Sequence, residues 1–323
     1  MSEHGGPLVS IIIPCFNAAS WLGDALESAL AQTWSNLEII VVDDGSTDGS
    51  LDLARSFEAR GVRVLTQPNA GQCAACNHGL RLSRGELVKF FDADDLLSPA
   101  SIEIQVRALQ QHPGAIAYGE WARFHRDPNE ARFEPRAGWH DAAPVDWLVA
   151  IWRDGQPMMQ CAQFLIPRAL LDRTGGWDER LSLINDFEFF ARLTLASNGI
   201  VFTPGARLYY RSGLPGSLSG SRSAQAWESA ALSLTLGTSY LLAAENSPRT
   251  RAASAAILQM LVYAMYPNAR DTVRRLESRI ARLGGCPLSP LGGRAFRWTS
   301  RLLGWKAARH LQIAAGKHPR PSA

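Results

Sequence analysis

The sequence predicts an α/β fold: a sheet flanked by helices, with a helical C-terminal extension. Three observations predict it. Short apolar runs alternate with amphipathic segments as far as residue 111, the pattern of a parallel sheet with crossover helices. Two of those runs end in clusters of acids, at residues 43–48 and 92–95. Beyond about residue 224 the apolar positions recur at helical spacing and arginines accumulate.

Residues 8–13 (LVSIII) read as a buried strand stopped by Pro14. Asn17 and Ser20 are placed to cap the next helix, in which Leu22, Leu26 and Leu30 recur every fourth position. Residues 38–42 (EIIVV) form the second strand, followed by a helix with Leu51, Ala54 and Phe57 inward. Residues 62–65 form the third. A helix then opens at 69–72 and runs to about Leu82, and Gly85 closes it. The central strand starts at Leu87, and Ser98-Pro99 begins a helix that reaches Gln111. Residues 115–121 are the next strand. The stretch 123–156 is long for a plain loop and is expected to carry function or short helices. Its Trp139, Trp147 and Trp152 are expected to pack rather than to stack on a ligand. Residues 163–166 form a strand, 168–173 a helix, and Gly175-Gly176-Trp177-Asp178 a turn. The helix at 186–193 is amphipathic, with Phe187, Phe190 and Leu193 on its apolar side. Residues 200–202 and 207–211 are closing strands, and 213–223 is a Gly/Ser-rich boundary.

Composition sets the broad class. An apolar fraction of 46% suits a globular protein of one large domain or two. The first ten residues lack the basic start and apolar core of a signal peptide. No apolar run reaches the roughly 18–20 residues of a membrane span; the nearest, 252–269, reads as a buried helix. Five cysteines without a framework imply a reducing compartment, hence a cytoplasmic location. Cys73 and Cys76 form a CxxC with no companion ligand pair, so zinc is not expected there. His78, His125 and His140 read as surface residues.

The net charge of +3 is unevenly spread. From Ser247 onward fourteen basic residues face two acids, Asp271 and Glu277. Arg294, Arg297 and Arg301 lie at helical spacing with Trp298, Leu302 and Trp305 interleaved. That segment reads as a basic amphipathic helix on an anionic membrane, at the inner face of the cell membrane, or as a solvated helix packed on its own domain. No nucleic-acid-binding module is present, so no nucleic-acid partner is expected. Residues 316–323 are expected to be disordered.

The acids carry the chemistry. In open α/β sheets, ligands bind outside the carboxyl ends of the strands. Both acidic turns should lie on that edge. Carboxylates there can hold a hard divalent cation that in turn holds phosphate oxygens, or accept hydrogen bonds from sugar hydroxyls. Capping accounts for one such turn, whereas two converging turns point to a nucleotide and a metal. There is no GxxxxGK[ST], and no GxGxxG follows the first strand, which excludes a P-loop NTPase and a dinucleotide-dependent oxidoreductase.

Four segments match a known pattern in order: Val9-Ser10-Ile11-Ile12-Ile13-Pro14-Cys15-Phe16-Asn17; Val41-Val42-Asp43-Asp44-Gly45-Ser46-Thr47-Asp48; Phe91-Asp92-Ala93-Asp94-Asp95; and Gly176-Trp177-Asp178-Glu179 with Asn185-Asp186. Over roughly residues 7–220 the chain resembles the family 2 glycosyltransferases, inverting enzymes that use nucleotide-sugar donors. The resemblance implies a GT-A type fold, a Rossmann-like mixed sheet flanked by helices. It implies a glycosyltransferase domain over 1–220, with nucleotide-sugar binding at about 7–100 and the acceptor side at about 101–220. A helical basic region would follow at 221–323. It further implies that Asp44 accepts a hydrogen bond from the base, most often uracil. Pro14, Phe16, Asn17 and Asn77 would border the nucleotide, and Asp92 and Ala93 the ribose or donor sugar. Asp94 would bind the Mg²⁺ or Mn²⁺ that bridges the diphosphate. Asp186 would be the general base. Residues 210–219 resemble a loop that closes over the donor, so Arg211 would meet phosphate. Asp186 begins a helix, whose dipole is expected to keep its carboxylate ionised and to lower its basicity. Asp43 and Asp48 are expected to shape their turn.

Two positions depart from the family. Asn185 stands where Glu usually precedes the catalytic Asp, and Cys76 where an Arg often precedes Asn77. The QxxRW signature of processive synthases is absent, which favours addition of a single sugar to a glycan or lipid-linked acceptor. The competing readings are a nucleotidyltransferase and a non-catalytic nucleotide-sugar binder.

Overall fold

The computed structural model describes residues 6–155, 157–214, 220–290 and 292–315. Strand β1 (Val9–Cys15) is buried along its whole length. Its residues alternate between two apolar layers: Ile11 and Ile13 pack in one, Ile12 in the other. Helix α1 (Leu22–Leu30), strand β2 (Leu37–Asp43), helix α2 (Ser50–Ser56), strand β3 (Val62–Thr66), helix α3 (Gln72–Leu82) and strand β4 (Leu87–Phe90) follow. Strands β3, β2, β1 and β4 lie side by side and parallel, as the alternation predicts. Helix α3 sits so close to the sheet that a Cβ on Gly79 would come within 2.5 Å of Ile12 Cγ2.

Beyond β4 the sheet turns mixed. Strand β5 (Leu96–Leu97), helix α4 (Ser101–Gln111), strand β6 (Ile116–Phe124), helix α5 (Pro144–Trp152), strand β7 (Phe164–Pro167), helix α6 (Arg168–Thr174), helix α7 (Asn185–Ala196) and strand β8 (Ile200–Arg211) complete it. The eight strands run in the order β3-β2-β1-β4-β7-β6-β8-β5. Strand β7 is antiparallel to both β4 and β6. Lys89 of β4 is fully buried and donates its Nζ to Ala162 O at 2.7 Å and Phe164 O at 3.0 Å. Burial pushes that amine down to about 7.

Several boundaries differ from expectation. Helix α1 has no side-chain N-cap, because Asn17 Oδ1 accepts from the Thr47 N–H instead. Helix α4 starts two residues after Pro99, since Leu96 and Leu97 first pair with β8. The two closing strands are one, β8, with a register shift opposite Gly119 and Glu120. Trp147 and Trp152 are wholly buried, and Trp139 stacks on Phe202 at 5.6 Å.

Among the described residues five helices follow: α8 (Ala224–Ala244), α9 (Pro248–Met265), α10 (Arg270–Arg282), α11 (Arg294–Leu303) and α12 (Trp305–Ala314). Leu234, Leu241, Leu258 and Ile280 share one apolar cluster with Phe164, Phe187 and Phe190, so the core continues past residue 220. Helix α8 also sets the entry to α7. Ser229 Oγ accepts from the Ser182 and Leu183 N–H groups, and Ser233 Oγ donates to Ile184 O at 2.6 Å. Ile184 is held there at φ +60, a conformation that costs a β-branched residue about 1–2 kcal/mol. A Cβ on Gly237 would lie 2.6 Å from the Phe187 ring, so the glycine permits this close crossing. No described helix is long and apolar enough to cross a membrane; 248–265 is a helix buried in the core. Residues 215–219 and 316–323 lie outside the described residues.

Candidate active site

The carboxyl ends of β1, β2 and β4 share one edge of the sheet, and both acidic turns stand there. The turn after β2 is closed by local donors. Asp43 Oδ2 accepts from the Ser46 N–H. Asp48 accepts from the Ser50 N–H and hydroxyl and from the Ala19 N–H. Those bonds hold its carboxyl below its ordinary value. Asp44 is buried and accepts three bonds of 2.7–2.8 Å, from Gln67 Nε2, Ala70 N–H and Gly71 N–H. Both its oxygens thus hold the loop that leads into α3. Asn17 ties the end of β1 to the same turn through Thr47 and Ser46. Pro14 is buried in β1, while Phe16 leaves 51% of its surface exposed beside the turn.

The turn after β4 is built differently. Asp92, Asp94 and Asp95 place carboxylate oxygens within 4.8 Å of one another. Ala93, between the first two, is buried. Among the described residues no backbone amide donates to the Asp92 carboxylate. Its oxygens accept from two side-chain amides instead, Gln72 Nε2 and Gln160 Nε2, each at 2.8 Å. Gln160 Nε2 also reaches Asp95 Oδ2 at 2.8 Å. Arg211 anchors the far side. Its N–H donates to Asp95 Oδ1 and its Nε to Asp94 O, both at 2.8 Å. The guanidinium lies between the Trp21 and Phe124 rings, 4.6 Å from each centroid.

Crowding and burial push all three carboxyls up. Burial raises Asp94 to about 7, with the Asp92 charge adding to it. Asp92 and Asp95 rise for the same first reason. Three hard oxygen donors so arranged suit a divalent cation. An octahedral Mg²⁺ with bonds of about 2.1 Å needs ligand oxygens about 3–4 Å apart, a small adjustment from this spacing.

Asp186 sits in the first turn of α7, half-buried, and its carboxylate makes no hydrogen bond among the described residues. It does not cap its helix, because Asn185 Oδ1 accepts the Asp186 N–H instead. Its basicity is the reverse of the helix-dipole expectation. Burial, then the charge of Asp92, pushes Asp186 well above the ordinary carboxylate range. A dipole contributes at most about 1 kcal/mol at such a position, and desolvation outweighs it. Asn185 Nδ2 donates to Gln72 Oε1 at 3.1 Å and to Cys73 Sγ at 3.3 Å. An unbroken chain of amides therefore runs from Asn185 through Gln72 to Asp92.

The structure brings Asp92, Asp94, Asp186 and Arg211 into one neighbourhood and leaves Asn77 to a different task. Both ends of the Asn77 amide hold Trp177: Oδ1 accepts its N–H at 2.8 Å and Nδ2 donates to its O at 2.9 Å. Nδ2 also reaches Glu179. The contact needs Gly176, where a Cβ would lie 2.3 Å from Asn77 Oδ1. Cys73 and Cys76 are buried free thiols, Cys73 pushed up to about 12 by burial. The residues that the sequence did not reveal are Gln72 and Gln160. No local pattern marks a glutamine that reaches a carboxylate 20 or 68 positions away.

The family model for "Glycosyl transferase family 2" matches residues 10–175. An uncharacterized glycosyltransferase of Rickettsia typhi is 30% identical over 194 residues, 59% of this chain and 60% of that protein. One from Haemophilus influenzae is 30% identical over 170 residues, 52% of this chain and 63% of that protein. The chain thus spans less than two thirds of these relatives. Among solved structures, S. aureus TarS 1-349 in complex with UDP-GlcNAc superposes with a TM-score of 0.66 at 17% identity, covering 97% of this chain and 93% of that one. A mannosyltransferase from Pyrobaculum calidifontis, in complex with GDP-Man and Mn²⁺, gives a TM-score of 0.57 at 19% identity, over 96% and 86%. These likenesses confirm the GT-A type fold.

Proposed function

The chain belongs to glycosyltransferase family 2, and we propose that it is an inverting, non-processive enzyme that moves a sugar from a UDP-sugar to a hydroxyl of a glycan or lipid-linked acceptor on the cytoplasmic side. The observation that carries this reading is the unpartnered carboxylate of Asp186, close enough to Asp92 to be raised by its charge. Family membership makes a nucleotidyltransferase or a mere binder the weaker reading.

Inverting transfer is a single displacement, so the acceptor must lose a proton while the nucleoside diphosphate leaves. Asp186 takes that proton. A base whose pKa is raised toward the working pH is better matched to the task than an ordinary carboxylate. Asp94, with Asp92 and Asp95, would hold Mg²⁺ or Mn²⁺, which supplies positive charge to the leaving diphosphate. The Mn²⁺ complex of the P. calidifontis enzyme supports that choice of ion. The UDP-GlcNAc complex of TarS supports a uridine donor. Gln72 and Gln160 keep Asp92 in place without neutralising it. Arg211 fixes the turn from behind through Asp94 O, and its charge reaches the site. Phe16 and Pro14, at the end of β1, border the base, with the exposed Phe16 ring available for stacking. Asp44 shapes the loop beneath.

Calorimetry of UDP binding with and without Mn²⁺, in the wild type and in Asp94→Ala, tests this directly. Binding that needs Mn²⁺ and disappears in the variant is the expected result. An unchanged metal response in Asp94→Ala would remove that residue from the site. Binding of GDP but not UDP would reassign the donor.

A further inference from the structure

Helices α11 and α12 form a hairpin with two unlike sides. Helix α12 is clamped to the body. Trp305 packs edge-on against Tyr263 and Tyr266, with centroids 4.8 and 5.0 Å away, and Lys306 pairs with Glu277 at 2.8 Å. Helix α11 is held by one buried side chain, Phe296, under the Arg309 guanidinium at 4.7 Å. Its outer face is uncovered. Trp298, Leu302 and Leu303 are 66%, 62% and 58% exposed, and Leu311 on α12 is 52% exposed. Among the described residues the other exposed large apolar side chains, Phe16, Leu82 and Ile184, are all less open than these four.

The arginines complete the pattern. Arg297 and Arg301 form one row along α11, and Trp298 and Leu302 form the adjacent row, each pair at i,i+4. Arg294 heads the helix. All three arginines are exposed, and among the described residues none pairs with an acid. No acid follows Glu277 in the sequence. Asp271 and Glu277 are themselves taken, by Arg274 and Lys306. An apolar strip flanked by unpaired cations is the layout of a helix that lies in a membrane interface, and tryptophan is enriched at that depth.

We propose that the outer face of α11 docks on an anionic lipid surface, with Trp298 and Leu302 entering the interface and Arg294, Arg297 and Arg301 meeting lipid phosphates. Docking does not depend on the transfer chemistry. It is read by sedimentation with vesicles of phosphatidylcholine, alone or mixed with phosphatidylglycerol. The full chain is expected to sediment with the mixed vesicles only, and less so as salt rises. Changing all three arginines to Gln is expected to weaken binding roughly a hundredfold. Trp298→Ser with Leu302→Ser is expected to abolish it. Leu82→Ser, an exposed leucine elsewhere, is expected to leave it unchanged. Equal binding to neutral vesicles, or wild-type binding by the Trp298/Leu302 variant, would overturn the proposal. So would a dimer in light scattering that the Trp298/Leu302 variant dissolves, since the face would then belong to a second copy.

Discussion

The two acidic turns each carry three aspartates, lie on the same sheet edge, and flank the same strand, yet they are opposite electrostatic objects. At residues 43–48 the carboxylates are met by backbone N–H groups, hydroxyls and the Gln67 amide, and among the described residues only Asp43 Oδ1 there is left without a donor. Hydrogen bonding to the charged form outweighs burial there, as the lowered Asp48 records. At residues 92–95 two glutamine amides and one arginine are set against three carboxylates, and all three carboxyls are pushed up. The donors that the rest of the chain delivers decide whether an acid-rich turn has its charge met or its carboxyls left crowded.

The largest expected effect sharpens this contrast through the proposed base, Asp186. Asp186→Asn should lower kcat by about 10²–10⁴-fold with little change in donor affinity. Equal loss of both would mean that Asp186 positions the donor rather than accepts the proton. Asp44→Ala probes the first turn. It removes three short hydrogen bonds to a buried charge and should cost about 2–4 kcal/mol in urea unfolding, while Mn²⁺-dependent UDP binding persists in the folded fraction. Lost UDP binding at full stability would make both turns ligand sites and break the contrast.

The smallest effect concerns pH. Asp92, Asp94 and Asp95 titrate higher in the fold than in the unfolded chain. The native state therefore holds more protons between the ordinary carboxylate range and about 7, where Asp94 titrates, and metal-free stability falls as pH rises through that window. Mn²⁺ should reverse the fall at neutral pH. Asp94→Asn should raise the metal-free Tm by a few degrees and flatten the Mn²⁺ response. A Tm that is independent of pH and of Mn²⁺ would show that the carboxylates are not crowded.

Much of the fold was legible because the signals are local. The burial of β1, β2 and β4 follows from their apolar runs, and the placement of both acid clusters follows from where those runs end. The core positions of Phe187, Phe190 and Leu193 were visible in their spacing, but α7 is not amphipathic as expected, because Glu188 and Phe189 are buried as well. The motifs at Asp44, Asp92–Asp94 and Asp186 sufficed to recognise the family. Sequence alone thus determined the family of the protein and the sheet edge on which both acid clusters stand.

Other features lay beyond any window of sequence. Asn17 was expected to cap α1 but was claimed by a turn 30 residues away. Asn77, read as a nucleotide neighbour, is committed to Trp177, 100 positions on. The dipole argument for Asp186 failed because desolvation depends on what packs around a side chain, and α8, Asp92 and the cysteines arrive there only through folding. Tertiary structure alone decided which of two similar acid turns has its charge met by hydrogen-bond donors and which has its carboxyls pushed up. Hydrogen-bond donors are supplied by contact in space, and a carboxylate's charge state follows its donors and its burial rather than its neighbours in the chain.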